Sequence, residues 1–442
     1  MSLNRREFVV SAGAAAAGAA LLAGCDRQAA GPLHSPEEVA ASAGRWQDVR
    51  AAFALSPDTI HMSAMLISSH PRPVREAIER HRRGLDRDPV TYLEDNHRPR
   101  MNAAREAAAN YLGVGTDAVA LTDSTTMGVG LVYNGLRLRP GDEIVSTEQD
   151  YYVTIEALRL LAERSGARVV QVPLYERTET LGPDEAVARI LAGVTPRTRV
   201  VALTWVHSST GYKLPARAVA DAIAELNRDR PEERRILFCL DGVHGFGVED
   251  FTLADLGCDF FMAGCHKWLF GPRGTGIVAA GPLGFEPLIP AIPSFIEQGG
   301  GFDAWITGEG DPGPNNGARM TPGGFKAFEH KWALAEAFEW QSGIGKARVA
   351  ERTHALARRL KEGLRGIDGV TLLTPMEDDR SAGIVSFDID GMSPDAVVSR
   401  LRQRKIIASV APYAIPHVRL TPSIRNSAGE VDVAIEAVRA LA

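Results

Sequence analysis

Residues 240–245, LDGVHG, and residues 263–272, AGCHKWLFGP, each follow an apolar run with the composition of a buried strand. The first stretch ends its strand on Asp241, and the second places Lys267 just beyond the end of a strand. Ionisable side chains are rarely buried in such surroundings unless they are paired or have a chemical task. The two stretches therefore predict that Asp241 and Lys267 belong to a functional site.

Composition indicates a large globular protein. The chain has 442 residues, 45% of them hydrophobic, which allows one large α/β domain with a smaller companion, or two to three domains. The net charge of −6 is small for this length, and no block of Lys or Arg is present. Nucleic acid is therefore disfavoured as a partner.

The amino terminus has the pattern of an export signal. Arg5 and Arg6 form a twin-arginine pair, and residues 11–24 are rich in Ala, Gly and Leu but too short for a confident membrane span. The sequence LAGC ending at Cys25 is typical of a lipoprotein cleavage site, which predicts a lipid anchor on Cys25. Asp26 favours retention at the inner membrane. The alternative is a poorly structured, Ala-rich terminus.

Short β-branched runs alternate with amphipathic helices through the middle of the chain. We expect a signal at 1–25, a tether at 26–50, a large domain at 51–315 and a smaller C-terminal domain at 316–442. The predicted strands of the large domain are 118–122, 143–147, 167–173, 199–206, 235–240, 259–264 and 276–280. Such alternation favours an α/β fold with a mostly parallel sheet of seven strands.

The later part of the chain has a different texture. Residues 299–317 are rich in Gly and Pro and predict a long functional loop, followed by helices at 325–341 and 347–363. Strands at 370–373, 382–388 and 417–421 then predict a smaller α+β domain.

Cysteines are sparse. Cys239, Cys258 and Cys265 lie in or beside apolar runs, and none forms a C-x-x-C pair. This pattern indicates neither a disulfide framework nor a metal site. We expect all three to be small buried hydrophobic residues.

Polar residues follow the predicted strands where the carboxyl ends of a parallel sheet would gather a ligand. Ser124, Thr125 and Thr126 follow the first strand and precede a helix, which is the composition of a phosphate cup. A plain helix cap is the alternative. Tyr151 follows the second strand and could stack on a flat heterocycle or be an ordinary half-buried tyrosine.

The chemistry that fits Asp241 and Lys267 together is that of pyridoxal phosphate (PLP). Lys267 would form a Schiff base with its aldehyde and act as general base and acid, and Asp241 would hold the pyridine nitrogen protonated. His244 is placed to meet the cofactor's phenolic oxygen or ring face, although a core histidine or a capped turn would give the same spacing.

These motifs together resemble the class V aminotransferase family of fold-type I PLP enzymes, with the isopenicillin N epimerase-like branch closest in texture. The matching stretches are 241–244, 266–276 and 205–211, with Trp205 in place of the branch's leading histidine. The resemblance implies the aspartate aminotransferase-like fold, a homodimer, and further roles for four residues. His266 would bind the phosphate, Ser208 would lie near the phenolic oxygen, Tyr151 would stack on the ring, and Arg419 would grip the substrate α-carboxylate. Without the family pattern, Arg419 would equally be a surface arginine at a strand end.

Two segments depart from the family pattern. Residues 307–312, TGEGDP, stand where the branch often has T-G-T-R-D-P and where a neighbouring subunit reaches the cofactor phosphate. Glu309 would repel a phosphate there. Residues 61–66 lack the Gly-containing turn common near the family's substrate. A different substrate, such as a larger peptide side chain, is therefore expected.

The sequence thus predicts an exported, periplasmic PLP enzyme that acts at the α-carbon of an amino acid or of a peptide-borne amino group. Transamination, epimerisation, elimination and oxidation share their first steps and stay open, although a periplasmic location weakens transamination. One alternative is an oxidative tailoring enzyme for a secreted peptide or siderophore. Another is a PLP-binding carrier or sensor without turnover.

Overall fold

The computed structural model describes residues 45–295, 301–308 and 313–442. Its strands are β1 (Ile60–His61), β2 (Val119–Thr122), β3 (Glu143–Thr147), β4 (Arg168–Val172), β5 (Thr198–Thr204), β6 (Leu237–Asp241), β7 (Phe260–Gly264), β8 (Gly276–Ala280), β9 (Val370–Leu372), β10 (Val385–Ile389), β11 (Ile406–Ile407), β12 (Ser409–Val410) and β13 (Val418–Leu420).

The helices are α1 (Trp46–Ala51), α2 (Arg72–Arg87), α3 (Pro89–Leu112), α4 (Thr125–Gly135), α5 (Tyr152–Ser165), α6 (Pro183–Ala192), α7 (Ala216–Arg228), α8 (Leu253–Leu256), α9 (Gly301–Thr307), α10 (Gly317–Met320), α11 (Phe328–Trp332), α12 (Leu334–Ile344), α13 (Lys346–Arg365), α14 (Pro394–Gln403) and α15 (Ala428–Arg439). None of the helices within the described ranges is long and apolar enough to cross a membrane.

Seven strands form the main sheet in the order β2-β8-β7-β6-β5-β3-β4. The pairs from β7 through β4 are parallel, whereas β8 runs antiparallel to both of its neighbours. Every residue of β2, β3, β6, β7 and β8 is buried, as expected for strands covered by helices on both faces. The predicted mostly parallel, seven-stranded α/β sheet is confirmed.

A second sheet of four antiparallel strands, β12-β13-β10-β9, forms the smaller α+β part of the fold. Its apolar core includes Leu356 of α13, Phe387 of β10 and Ile435 of α15. By contrast, Trp332 and Phe338 share the core of the large sheet, although they lie beyond residue 315. The second core therefore includes Met62 from the amino-terminal segment and apolar residues of α13 and later elements.

Three predicted elements differ in the structure. The loop expected at 299–317 contains a helix, α9. The helix expected at 325–341 is two helices, α11 and α12, because Ala333 takes a φ of −82° and a ψ of 7° between them. Residues 46–50, expected in a tether, belong to α1, since Val49 is buried and Arg50 pairs with Glu430 at 2.6 Å. The predicted export signal, Cys25 and Glu309 lie outside the described residues.

The three cysteines Cys239, Cys258 and Cys265 are free and buried, which confirms the expectation that they serve as small apolar residues.

Candidate active site

One cavity of about 350 Å³ lies at the carboxyl ends of the parallel strands. All ten side chains predicted for the site line it: Ser124, Thr125, Thr126, Tyr151, Ser208, Asp241, His244, His266, Lys267 and Arg419. Other parts of its wall come from Met65, Leu66 and Pro412, so the amino-terminal segment and the smaller domain both contribute. The sheet topology thus brings together residues that are almost 300 positions apart.

Asp241 is the last residue of β6 and is 3% exposed. Its Oδ1 accepts a hydrogen bond from the backbone N–H of Val243 at 3.1 Å. Gly242 lets the chain turn here, because a Cβ at this position would lie 1.9 Å from the Phe261 ring. Burial raises the pKa of Asp241 from 3.8 to about 6, and the nearby Lys267 opposes this rise. The carboxylate therefore lacks a full cationic partner.

His244 is fixed by a hydrogen bond from Trp268 Nε1 to its Nδ1, at 3.3 Å. Burial and the cations Lys267 and Arg419 hold the pKa of His244 well below its usual range, so the ring is neutral. Because Nδ1 accepts, the proton of the neutral ring is on Nε2. Trp205, the departure from the family motif, packs against this turn, since a Cβ on Gly245 would lie 2.2 Å from its ring.

Lys267 lies in the turn after β7. This turn is closed by hydrogen bonds from Cys265 N to Thr275 O at 3.0 Å and from Gly271 N to Cys265 O at 2.8 Å. Burial lowers the pKa of Lys267 to about 8, and Arg419 adds to the effect, while Asp241 opposes it. Its Nζ has no hydrogen bond or salt bridge to any residue that the structure describes. A half-buried, desolvated amine that faces a cavity without a partner is available for chemistry.

The predicted phosphate cup is built around the start of α4. Ser124 caps this helix, with its Oγ accepting from Met127 N at 3.1 Å, and Thr125 Oγ1 accepts from Gly264 N at 2.8 Å. Ser124 is therefore a helix cap, and its role toward a phosphate stays a prediction. In both cases the hydroxyl acts as acceptor, so its own proton can still be donated to an anion. Thr126 and His266 line the same cavity as Ser124 and Thr125.

Tyr151 is half-buried at the start of α5. Sequence reasoning missed the residue that positions it, Asp150, which is 1% exposed. Asp150 accepts hydrogen bonds from Ser146 Oγ (2.8 Å), Thr147 N (2.8 Å), Thr147 Oγ1 (2.9 Å) and Thr204 N (2.6 Å). These bonds tie the ends of β3 and β5 together at the residue that precedes Tyr151. The available signal in the sequence was an acid, Asp150, that closely follows Ser146 and Thr147 at the end of a predicted strand.

Arg419 is 1% exposed, so the interpretation as a surface arginine is wrong. Its guanidinium donates to Ser409 Oγ (3.2 Å), Ser208 O (2.8 Å) and Val410 O (2.8 Å). All three acceptors are neutral, and no carboxylate in the described ranges pairs with it. These hydrogen bonds hold the planar guanidinium of Arg419 in place, but no negative charge among the described residues compensates its positive charge. Such an arrangement is suited to bind an anion.

Tyr413 is a second residue that sequence reasoning missed. Its hydroxyl lies 2.8 Å from Ser208 Oγ, and its ring centroid is 5.9 Å from that of Tyr151. It thereby links the smaller domain to the two large-domain residues expected beside the cofactor. No motif surrounds Tyr413, and only the packing of the two domains identifies it.

The residues fit PLP on their chemistry. Lys267 supplies a free amine for the aldehyde, and Asp241 supplies a buried carboxylate for a protonated pyridine nitrogen. Ser124, Thr125, Thr126 and His266 supply donors for the phosphate. PLP would give the ionised Asp241 a cationic partner, the protonated pyridine nitrogen. It would give the uncharged Lys267 an aldehyde with which to react.

Comparisons with known proteins agree with this arrangement. The sequence model of the class V aminotransferases matches residues 81–411. Isopenicillin N epimerase of Streptomyces clavuligerus is 28% identical over 406 residues, covering 90% of this chain and 98% of that protein. A probable cysteine desulfurase of Vibrio cholerae is 27% identical over 360 residues, covering 76% of this chain and 81% of that protein.

Solved structures share the fold. A mutant of C-DES with glycine covalently linked to its PLP cofactor has a TM-score of 0.79 and 20% identity, covering 88% of this chain and 98% of that chain. The match of the family model spans most of the chain, including every strand of the large sheet. The chain therefore belongs to the class V aminotransferase family of PLP-dependent enzymes.

Proposed function

We propose that this enzyme activates the α-carbon of an amino acid, or of an amino group carried by a peptide, with PLP that Lys267 would hold covalently until the substrate amine displaces the lysine. The observation that carries the proposal is the cavity itself, in which the partnerless amine of Lys267 faces a held but uncompensated guanidinium, Arg419. An amine and a carboxylate on one substrate carbon would use both.

When bound, PLP supplies a carbonyl that condenses with amines and a ring that withdraws electrons from the substrate α-carbon. Asp241 holds a proton on the pyridine nitrogen, and its burial strengthens this interaction. Lys267 takes a proton from the α-carbon or returns it, for which a pKa of about 8 is suited. The neutral His244, held by Trp268, keeps a second positive charge away from the ring.

Arg419 binds and orients the substrate carboxylate. Its three neutral hydrogen bonds leave the guanidinium preorganised, so less conformational entropy is lost on binding. Leu66 also lines the cavity and is 47% exposed, which leaves an apolar surface for a side chain or a peptide.

Among the reactions named for the relatives, the site favours chemistry of the epimerase type over sulfur transfer to the protein. Transfer of sulfur from a bound cysteine needs a reactive thiol at the cavity. Cys239, Cys258 and Cys265 are buried, none lines the cavity, and burial raises the pKa of Cys265 to about 12. Thiols of this kind are inert.

The test is hydrogen exchange at the α-carbon. The purified holoenzyme is incubated in D₂O with pools of amino acids and peptides, with and without oxygen, and the products are analysed by mass spectrometry and chiral chromatography. We expect deuterium at the α-carbon of at least one compound, and none with Lys267→Ala. Absence of both exchange and product across the pools, with a visible absorbance that amino acids do not shift, would favour a non-catalytic PLP-binding protein.

We further propose that the chain is exported by the twin-arginine route and anchored through Cys25. The support is the sequence alone: Arg5 and Arg6, the apolar stretch at 11–24, and LAGC before Asp26. Replacing both arginines by lysine should leave the protein in the cytosol. Cys25→Ser should release it from membranes without blocking export. Membrane association that persists in Cys25→Ser would contradict the anchor.

A homodimer is proposed on the family resemblance and on exposed apolar side chains. Phe325 is 81% exposed and Phe295 is 58% exposed, and both line one groove with Met101 and Phe328. Exposed aromatic groups of this kind are typical of protein interfaces. Light scattering of the wild type should give twice the mass of one chain, and Phe325→Asp should lower it. A monomeric wild type would contradict the proposal.

A further inference from the structure

A second cavity, of about 380 Å³, lies between α1, the segment before β1 and the residues that precede α15. It shares no lining residue with the cavity at Lys267. The polar groups that line it include Arg50, Ser56, Thr59, His61, Arg425 and Glu430. Neither the family motifs nor the proposed reaction assigns it a role.

Arg425 is the unusual member of this set. It is 5% exposed, and its Nε is fully buried without a hydrogen-bond acceptor. Within the described part of the chain, its guanidinium makes no hydrogen bond or salt bridge. Burying a charged group without a partner is costly, so such a group is expected to have a ligand.

The carboxylate that lines the cavity is already used. Glu430 accepts two hydrogen bonds from Arg50, at 2.6 and 3.0 Å, and further bonds from Ser427 N at 2.8 Å and Asn426 Nδ2 at 3.3 Å. Its single negative charge is balanced by Arg50. Glu430 also attracts the charge of Arg425, but this one carboxylate is shared by two guanidinium groups, so one positive charge is left in excess.

Neighbouring groups add to the positive potential. Arg352 donates to Asn426 O at 3.0 Å, next to Arg425 in sequence, and its Nε is also buried without an acceptor. His61 lines the cavity with a buried Nε2 that lacks a partner. Burial and Arg425 lower the pKa of His61, so the ring stays neutral and can donate one hydrogen bond. A cationic fork and a neutral donor thus surround one space.

We propose that this cavity is a binding site for a small oxyanion, a carboxylate or a phosphate group, which Arg425 holds in its guanidinium fork with His61 as a further donor. Arginine is suited to both ligands because its fork matches the two oxygens of a carboxylate or phosphate. The hydroxyls of Ser56 and Thr59 line the same space and complete a polar wall. The proposal does not depend on the reaction at Lys267.

The first test measures thermal unfolding of the PLP-bound enzyme in inorganic phosphate, in succinate and in chloride at equal ionic strength. We expect the unfolding temperature to rise by a few degrees in phosphate or succinate relative to chloride. The rise should remain in Arg419→Gln and disappear in Arg425→Gln. The difference between the phosphate and succinate arms identifies the preferred oxyanion. A rise that persists in Arg425→Gln, or that only Arg419→Gln removes, would overturn the proposal.

The second test needs no variant, so it holds even if Arg425→Gln folds poorly. Crystals of the wild-type holoenzyme are soaked in selenate, and the anion is located by its anomalous scattering. A peak within hydrogen-bonding distance of the Arg425 guanidinium supports the site. Peaks elsewhere, with none beside Arg425, would contradict it.

Discussion

Lys267, which is half-buried, and Lys361, which is buried, lie in different regions of the molecule, and desolvation lowers the pKa of each to about 8. Lys361 donates hydrogen bonds to Pro375 O (2.9 Å), Met376 O (2.8 Å) and Ser381 Oγ (2.8 Å) in the smaller domain. Lys267 has no such acceptor among the described residues and faces the cavity. A lowered pKa therefore does not by itself identify a catalytic lysine. The distinguishing feature of Lys267 is that its amine has no hydrogen-bond acceptor in the described part of the chain and faces a cavity.

Lys331 makes the same point close to the site. Burial lowers its pKa to about 8 as well, but it donates to Thr122 O and pairs with Asp123 at 2.8 Å. Its role is to fasten α11 to the end of β2. Of these three lysines, we therefore expect chemistry only from Lys267.

The largest expected effect comes from Lys267→Ala, which should lower turnover by at least about a thousandfold, because it removes both the covalent attachment and the acid–base group. The matched variant is Lys361→Met, measured with the same substrate. It should leave turnover nearly unchanged and lower the stability by about 1–3 kcal/mol, since three acceptors lose their donor. Equal losses of turnover in both variants would contradict the claim that Lys267 takes part in the chemistry and Lys361 does not.

Asp241 lies near Lys267, and Asp123 pairs with Lys331. We expect substitution of the first acid to lower turnover and substitution of the second to lower stability. Asp241→Asn is expected to lower kcat by about a hundredfold, because breaking a buried charge pair with the cofactor costs about 3–5 kcal/mol, not all of it in the rate-limiting step. Asp123→Asn should retain most of the turnover and instead lower the unfolding temperature, since it leaves Lys331 without its ion pair. Steady-state kinetics and thermal unfolding of both variants provide the test; a greater loss of turnover in Asp123→Asn would contradict it.

Arg419→Lys should raise KM for the substrate by about tenfold to a hundredfold with a smaller change in kcat. The lysine keeps the charge but loses the planar fork that binds a carboxylate through two hydrogen bonds. The matched measurement uses the amide of the same substrate, which lacks the carboxylate charge. Wild type and variant should differ little with the amide. An equal rise in KM for acid and amide would show that Arg419 acts on the fold alone.

The last expected effect concerns the stability of the protein without the cofactor. The folded-state pKa of Asp241 is about 6 and its usual value is 3.8, so ionised Asp241 costs the folded apoprotein stability. This cost is absent below about pH 4, grows as the pH rises to about 6, and reaches about 3 kcal/mol above that. Apo Asp241→Asn should therefore be more stable than the wild-type apoprotein at pH 7 and equal to it near pH 4. Equal stability at both pH values would contradict the assigned burial cost.

Much of the large domain can be predicted because its strands are short apolar runs buried on both faces. The site residues at the ends of β2, β3, β6 and β7 follow from the same pattern, since parallel strands bring their carboxyl ends to one edge. The contacts made by Tyr413 and Arg425 cannot be predicted in this way. Their surroundings are formed by segments far apart in sequence, as with Arg50 and Glu430, and no local periodicity records such packing.

The division of helix 325–341 and the extent of α3 show the other limit. Apolar spacing predicts one helix at 325–341. The helix α3 begins at Pro89, where Asp88 caps the first turn by accepting from Thr91 N. It then continues through Pro99 because its neighbours hold it in place. The local sequence therefore predicts a helix end only where a capping residue sets that end.

The most direct test of the central claim is to reduce the PLP-bound enzyme with borohydride, which makes the bond between cofactor and lysine permanent, and to locate the modified peptide by mass spectrometry. We predict that the cofactor is found on Lys267, in the peptide that contains residues 263–272. Modification of Lys331 or Lys361 instead, or no modification of a PLP-saturated protein, would contradict the account.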